Sequence, residues 1–176
     1  MGGERQLEGK APNGSVADEG AVDCREGITT LTCATFWLEV RAVSIEFYIQ
    51  GHRNGEEVGV ALCEILNAFG KSEGEEVEGL YRLIYDAENS CEFSVTCENG
   101  LVTAICIFRP CGHEKLYESI FDVLRSGPYV LFAPGGNAPI IVRREMAEHL
   151  PDGMAEALGE PVVVTDAKNI SAALFD

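Results

Sequence analysis

The sequence predicts a single α+β domain: a mixed, mostly antiparallel sheet with helices packed on one face. Three observations predict it. Apolar residues alternate with a period of two in several short segments, as in half-buried strands. Other segments, Val58–Phe69 above all, carry apolar residues at helical spacing. Asn99-Gly100 stands between two of the alternating runs, the strongest short hairpin signal in the chain. Strands and helices that follow one another without strict alternation belong to the α+β class.

Residues 1–27, rich in Gly, Ala, Asp and Glu and without periodicity, read as a flexible acidic tail, and residues 28–176 as the domain. Phe36, Leu38 and Val40 alternate on even positions, and Val43, Ile45, Phe47 and Ile49 on odd ones. The change of parity calls for a turn at Arg41-Ala42, with Leu38 facing Ile45 and Phe36 facing Phe47. A helix then runs from an Asn54 cap, with Glu57 completing a capping box, through Val58, Leu62, Ile65, Leu66 and Phe69 to Gly70. Its other face is left to Glu56, Glu57 and Glu64.

An acidic loop over 71–79 leads to a strand at Leu80–Asp86. The strands Cys91–Glu98 and Leu101–Arg109 flank Asn99-Gly100, and a two-residue turn would pair Cys97 with Val102, Val95 with Ala104, Phe93 with Cys106 and Cys91 with Phe108. A second helix spans His113–Ser126, with Leu116, Ile120, Val123 and Leu124 inward and Gly127-Pro128 as its stop. Strands follow at Tyr129–Ala133 and Pro139–Arg143. A helix broken near Pro151 covers residues 144–158, a strand covers Pro161–Thr165, and a last helix is capped by Asp166. The expected core includes Phe36, Leu38, Ile45, Phe47, Leu62, Ile65, Phe69, Phe93, Val95, Cys106, Phe108, Leu116, Ile120 and Val163.

Against 29 acidic residues stand 13 basic ones, a net charge of −16. That field repels phosphate backbones and anionic lipid, so neither direct nucleic-acid binding nor membrane docking is expected. No stretch approaches the ~20 apolar residues of a membrane span, and the N-terminus lacks an apolar signal core, so the chain is expected to be cytoplasmic. Seven cysteines without framework spacing fit a reducing compartment. Cys63, Cys91, Cys97 and Cys106 read as small core residues, and no Cys pair has zinc-ligand spacing, so no metal and no cofactor are expected.

Two places could carry function. Cys111 and His113 lie between a strand and a helix start, where a thiol with a nearby imidazole can become a nucleophile; a thiol-dependent enzyme is the alternative reading. The loop Pro134-Gly-Gly-Asn-Ala-Pro139 lacks the Lys and following helix of a phosphate loop and reads as a hairpin turn. His52 reads as a turn residue and His149 as a helix-end residue. The remaining feature is acidic surface. Glu56, Glu57, Glu64, Glu73, Glu75, Glu76 and Glu78 gather around a single base, Lys71, with Tyr81 and Tyr85 as candidate apolar anchors. This pattern points to a protein-binding module, of the inhibitor or immunity type, that docks a basic protein partner; a homo-oligomer without chemistry is a third class.

Overall fold

A computed structural model describes residues 45–175. The predicted turn at Arg41-Ala42 and its partners Phe36 and Leu38 lie outside the described residues, as does the acidic tail.

The centre of the sheet is β1 (Glu46–Arg53), which pairs antiparallel with β6 (Leu101–Phe108) on one side and β7 (Tyr129–Phe132) on the other. Outward from β6 come β5 (Ser90–Glu98) and β4 (Tyr81–Ile84); outward from β7 come β8 (Ile140–Ile141) and β9 (Val162–Val163). Two short strands lie off this path: β2 (Glu56–Glu57) on β1, and β3 (Val60–Ala61) on β6. Every described pairing is antiparallel except that of β8 with β9. The mixed, mostly antiparallel sheet with helices read from the sequence is therefore the architecture found.

Alternation along the central strands separates two faces. Phe47 and Ile49 of β1, Ile105 and Ile107 of β6 and Tyr129 and Leu131 of β7 form the larger core. Against it pack α1 (Leu62–Ala68), α2 (Glu114–Ser126) and α4 (Ile170–Phe175). The apolar positions of α2, Leu116, Ile120, Val123 and Leu124, are all fully buried. Phe69, just past α1, stacks on Phe93 at 4.4 Å, and Tyr81 stacks on the same ring at 5.0 Å. The opposite face carries a smaller cluster of Tyr48, Val130, Phe132 and Ile141, closed by Met146 of the 3-10 turn Arg144–His149 and Met154 of α3 (Met154–Leu158).

Several expectations are corrected. The first helix begins at Leu62, not after Asn54. Asn54 (φ 54°) and Gly55 (φ 81°) instead form the tight turn between β1 and β2. Two successive positive φ values define the type I′ hairpin turn that Asn-Gly favours. Glu56 and Glu57 therefore belong to a strand. The helix still ends as read, with Gly70 in the left-handed region at φ 62°.

The Asn99-Gly100 hairpin forms, but its register holds only near the turn. Cys97 opposes Val102 as expected, whereas Thr96 opposes Ala104, so Thr103 is an extra residue in β6. Beyond this bulge the pairing slips by one: Val95 faces Ile105 and Phe93 faces Ile107. A one-residue slip exchanges the faces of a strand. Ile105 and Ile107 enter the main core in place of the predicted Ala104, Cys106 and Phe108, and Cys106 joins the smaller cluster behind Tyr48. Cys106, Phe108, Val95, Cys97 and Leu62 are half-buried rather than buried.

Ile45 is 57% exposed because it precedes Glu46, the first paired residue of β1. Val163 is 38% exposed, and Val164 takes the core position predicted for it. Cys63 lies on the solvent side of α1, exposed. His52 is a buried residue of β1 rather than a turn residue.

Tyr129 ties these layers together. Its hydroxyl donates to the Val102 carbonyl (2.5 Å) and accepts the Val60 N–H (3.2 Å), linking β7 to β6 and β3. Replacing Tyr129 with Phe removes the partner of the Val60 N–H and one donor to Val102 O, so the variant should lose about 1–3 kcal/mol of unfolding free energy. Urea denaturation measures this; an unchanged midpoint would show that neither bond matters to stability.

Candidate functional site

The four loop glutamates stand on a built turn. Val77 and Leu80 exchange both backbone hydrogen bonds (2.9 and 3.0 Å), and Glu78 (φ 54°) and Gly79 (φ 83°) fill the two central positions. This is again type I′ geometry, which needs positive φ at both residues. One step earlier, the Glu75 carboxylate accepts from Lys71 Nζ (3.2 Å) and the Ser72 N–H (2.9 Å). The Lys71 ammonium, followed by the Ser72 amide, holds that carboxyl below the usual carboxylate range. The single base of the segment is thus spent on one of its four acids. Glu73, Glu76 and Glu78 are exposed and make no ion pair with the described residues. Val77, between them, is 71% exposed.

The seven acids do not share one helix face. Glu64 is on α1, Glu56 and Glu57 on β2, and the other four on the turn between α1 and β4. Neither tyrosine is placed as an anchor. Tyr81 is 2% exposed under Phe93, and burial, followed by the charge of nearby Glu76, pushes its phenol up. Tyr85 is half-buried and stacks on the His113 ring at 4.9 Å and 7°. Both are packing residues because their strand alternates inward at odd positions. The exposed apolar side chains here are Val77 and Ile84, the latter at 66% on β4.

Cys111 and His113 lie as expected between β6 and α2. His113 caps the helix: its Nδ1 accepts the Lys115 N–H at 3.2 Å. Its Nε2 lies 3.7 Å from Asp86 Oδ2. With Nδ1 accepting and Nε2 turned to a carboxylate, the neutral ring has no lone pair left for a thiol proton. Cys111 is half-buried against the core beside Cys91. Burial, with the neighbouring Cys111 next, pushes the Cys91 thiol up to about 12. Cys91, buried and protonated, is a poor nucleophile. Among the described residues no three His, Cys, Asp or Glu side chains converge to hold a metal ion, and no helix is long and apolar enough to cross a membrane.

Two residues that the sequence does not single out stand apart chemically. His52 is 2% exposed with neither ring nitrogen hydrogen-bonded, and Thr103 is 4% exposed with an unpartnered hydroxyl. Buried polar side chains are normally paired, and each exception asks for a reason. Thr103 also lines an open cleft of about 670 Å³ at the Arg53 end of β1. His52 depends on strand parity and Thr103 on the bulge, neither of which a local motif announces.

No protein-family model matches the chain, and no curated protein or solved structure resembles it at a significant level.

Burial pushes the His52 imidazole down from 6.5 to about 4. Above pH 6.5 the group is neutral folded or unfolded and contributes nothing to the pH dependence. As pH falls from 6.5 toward 4, the unfolded chain takes up a proton that the folded one refuses, so stability is lost at up to about 1.4 kcal/mol per pH unit. Across that window the wild type should lose roughly 3 kcal/mol more than His52→Gln. Urea denaturation of both proteins at pH 7 and pH 4 tests this, and parallel pH profiles would contradict it.

Proposed function

We propose that this protein is a binding module for a basic protein partner, acting in the cytoplasm as an inhibitor or immunity-type protein and not on nucleic acid. The observation that carries the reading is the turn at 73–80, where exposed Val77 stands in the chain between exposed Glu76 and Glu78, with exposed Glu73 in the same loop and the loop's one base, Lys71, paired with Glu75. Unpaired carboxylates steer an oppositely charged partner, and their effect reaches about a Debye length, ~8 Å at physiological salt. Exposed charge pairs contribute only about 0–1 kcal/mol each, so a lasting complex also needs an apolar contact. Val77 supplies one at the centre of the charge, in place of the two tyrosines. The hydrogen-bonded turn holds it in position before binding, which lowers the ordering cost of association.

The experiment is affinity capture from lysate at low and high salt, using the wild type and the quadruple variant Glu73→Gln, Glu75→Gln, Glu76→Gln, Glu78→Gln. Basic proteins should be retained by the wild type at low salt and released at high salt, with about tenfold less retained by the variant. The isolated partner should dissociate faster from Val77→Ser with an unchanged salt slope. Retention indifferent to both salt and the four substitutions would reject the proposal.

A further inference from the structure

The cleft at the end of β1 is separate from the acidic turn and has a different character. It opens between the β2–β3 link, the β5–β6 turn, the corner where α2 meets β7, and the 3-10 turn at 144–149. At about 670 Å³ it has the size of small-molecule sites, roughly 300–1,000 Å³.

Its walls bring both signs of charge together in a protein that is otherwise strongly negative. Arg53 and Arg143 stand with Glu57, Glu98 and Glu145. Arg53 is exposed and makes no ion pair with the described residues. Arg143 is anchored: its Nη2 donates to the Gly127 carbonyl at 3.0 Å, and its Nε lies 4.0 Å from Glu145 Oε1. A guanidinium has five N–H donors, so others remain for a ligand. Among the lining residues is Thr103, the bulge residue of β6, 4% exposed and without a hydrogen-bond partner. The backbone comes close here as well: a Cβ on Gly59 would fall 2.1 Å from the Val102 carbonyl oxygen, so β3 lies directly against β6.

The geometry points to a binding site for a zwitterionic small molecule of the free α-amino-acid or dipeptide class. Its carboxylate meets Arg53 and Arg143, its ammonium group meets the glutamates, and a polar atom satisfies Thr103. A bare anion is opposed by three glutamates and by the net charge of −16. A bare cation is drawn by the glutamates but leaves both guanidinium groups without a partner. A zwitterion satisfies both signs without working against the overall field, and the Thr103 hydroxyl, buried in the cleft wall without a partner, gains a bond where a polar group of the ligand reaches it.

The test uses isotope-labelled full-length protein and follows the backbone amides of Arg53, Thr103, Ser126 and Glu145 by NMR. The probes are the twenty standard α-amino acids in pools and the dipeptide glycylglycine; acetate and methylammonium at the same ionic strength serve as single-charge controls. At least one zwitterion should shift these amides saturably, and the controls should not. Arg53→Gln should weaken binding about tenfold, the loss of one charge-assisted hydrogen bond. Thr103→Val should weaken it similarly while leaving the free protein as stable or more so, and Thr103→Ser should restore binding. The inference is overturned if no zwitterion saturates these shifts, if either control does so equally well, or if Arg53→Gln and Thr103→Val bind as the wild type does.

Discussion

One side chain spans the centre of this fold. Tyr129, fully buried, enters from β7 beneath β1 and ends on the backbone of β6 and β3. Its path requires the strand it passes to carry no side chain. Gly51, directly opposite it, would place a Cβ 3.1 Å from the Tyr129 ring, and 2.0 Å from the Val58 carbonyl oxygen. Gly127 would meet the same ring at 2.8 Å. The two glycines and the tyrosine form one device. It lets the β2–β3 link lie close to the sheet, beside the cleft that Gly127 helps to line. A buried phenol needs a hydrogen-bond partner, and here it finds two.

The same corner holds the polar groups that contribute least to stability. Burying a hydroxyl or an imidazole without a partner costs about 1–3 kcal/mol on mutational scales. Elsewhere the described core is apolar: His52 and Thr103 are its buried polar residues. Both belong to central strands, β1 and β6, and Thr103 owes its orientation to the bulge. Bulges are concentrated where a strand must re-aim a side chain beside a site. The Tyr85 hydroxyl, on the ring that stacks against His113, is a third buried polar group without a partner, away from this corner.

What was legible in the sequence follows from how local each signal is. The Asn99-Gly100 turn, the α2 stripe with its Gly127 stop, the Gly70 stop and the Asp166 cap are each set within a few residues, and each is found in the structure. Asn54-Gly55 carries the same hairpin signal as Asn99-Gly100, yet Asn54 and Glu57 also fit a capping box. The β1 strand running directly into that turn decides between them. The bulge at Thr103 left no trace, because Val102 to Phe108 reads acceptably in either register: Ala104, Cys106 and Phe108 are as apolar a set as Ile105 and Ile107. Only the fit against Phe93 and the helices separates the two. The acidic segment was legible as charge, but its anchor was not. Tyr81 and Tyr85 are the larger apolar groups, but the parity of β4 turns both away from solvent, and the smaller Val77 is left outside.

Charge in this protein is therefore arranged as well as abundant. Lys71 is taken up by Glu75, His113 by the start of α2 and the Asp86 carboxylate, and Arg143 by the Gly127 carbonyl. Each pairing holds a local structure in place: the acidic turn, the helix cap, the cleft wall. Two sets of charges outside those pairings have different consequences. Glu73, Glu76 and Glu78 are exposed on a hydrogen-bonded turn that also exposes Val77, and their field extends into solvent. Arg53 is exposed in a cleft wall that also carries Glu57, Glu98 and Glu145, so both signs of charge meet there. A convex, single-signed feature suits a macromolecule, and a concave, mixed-sign one suits a small molecule. The turn at 73–80 and the cleft have no residue in common.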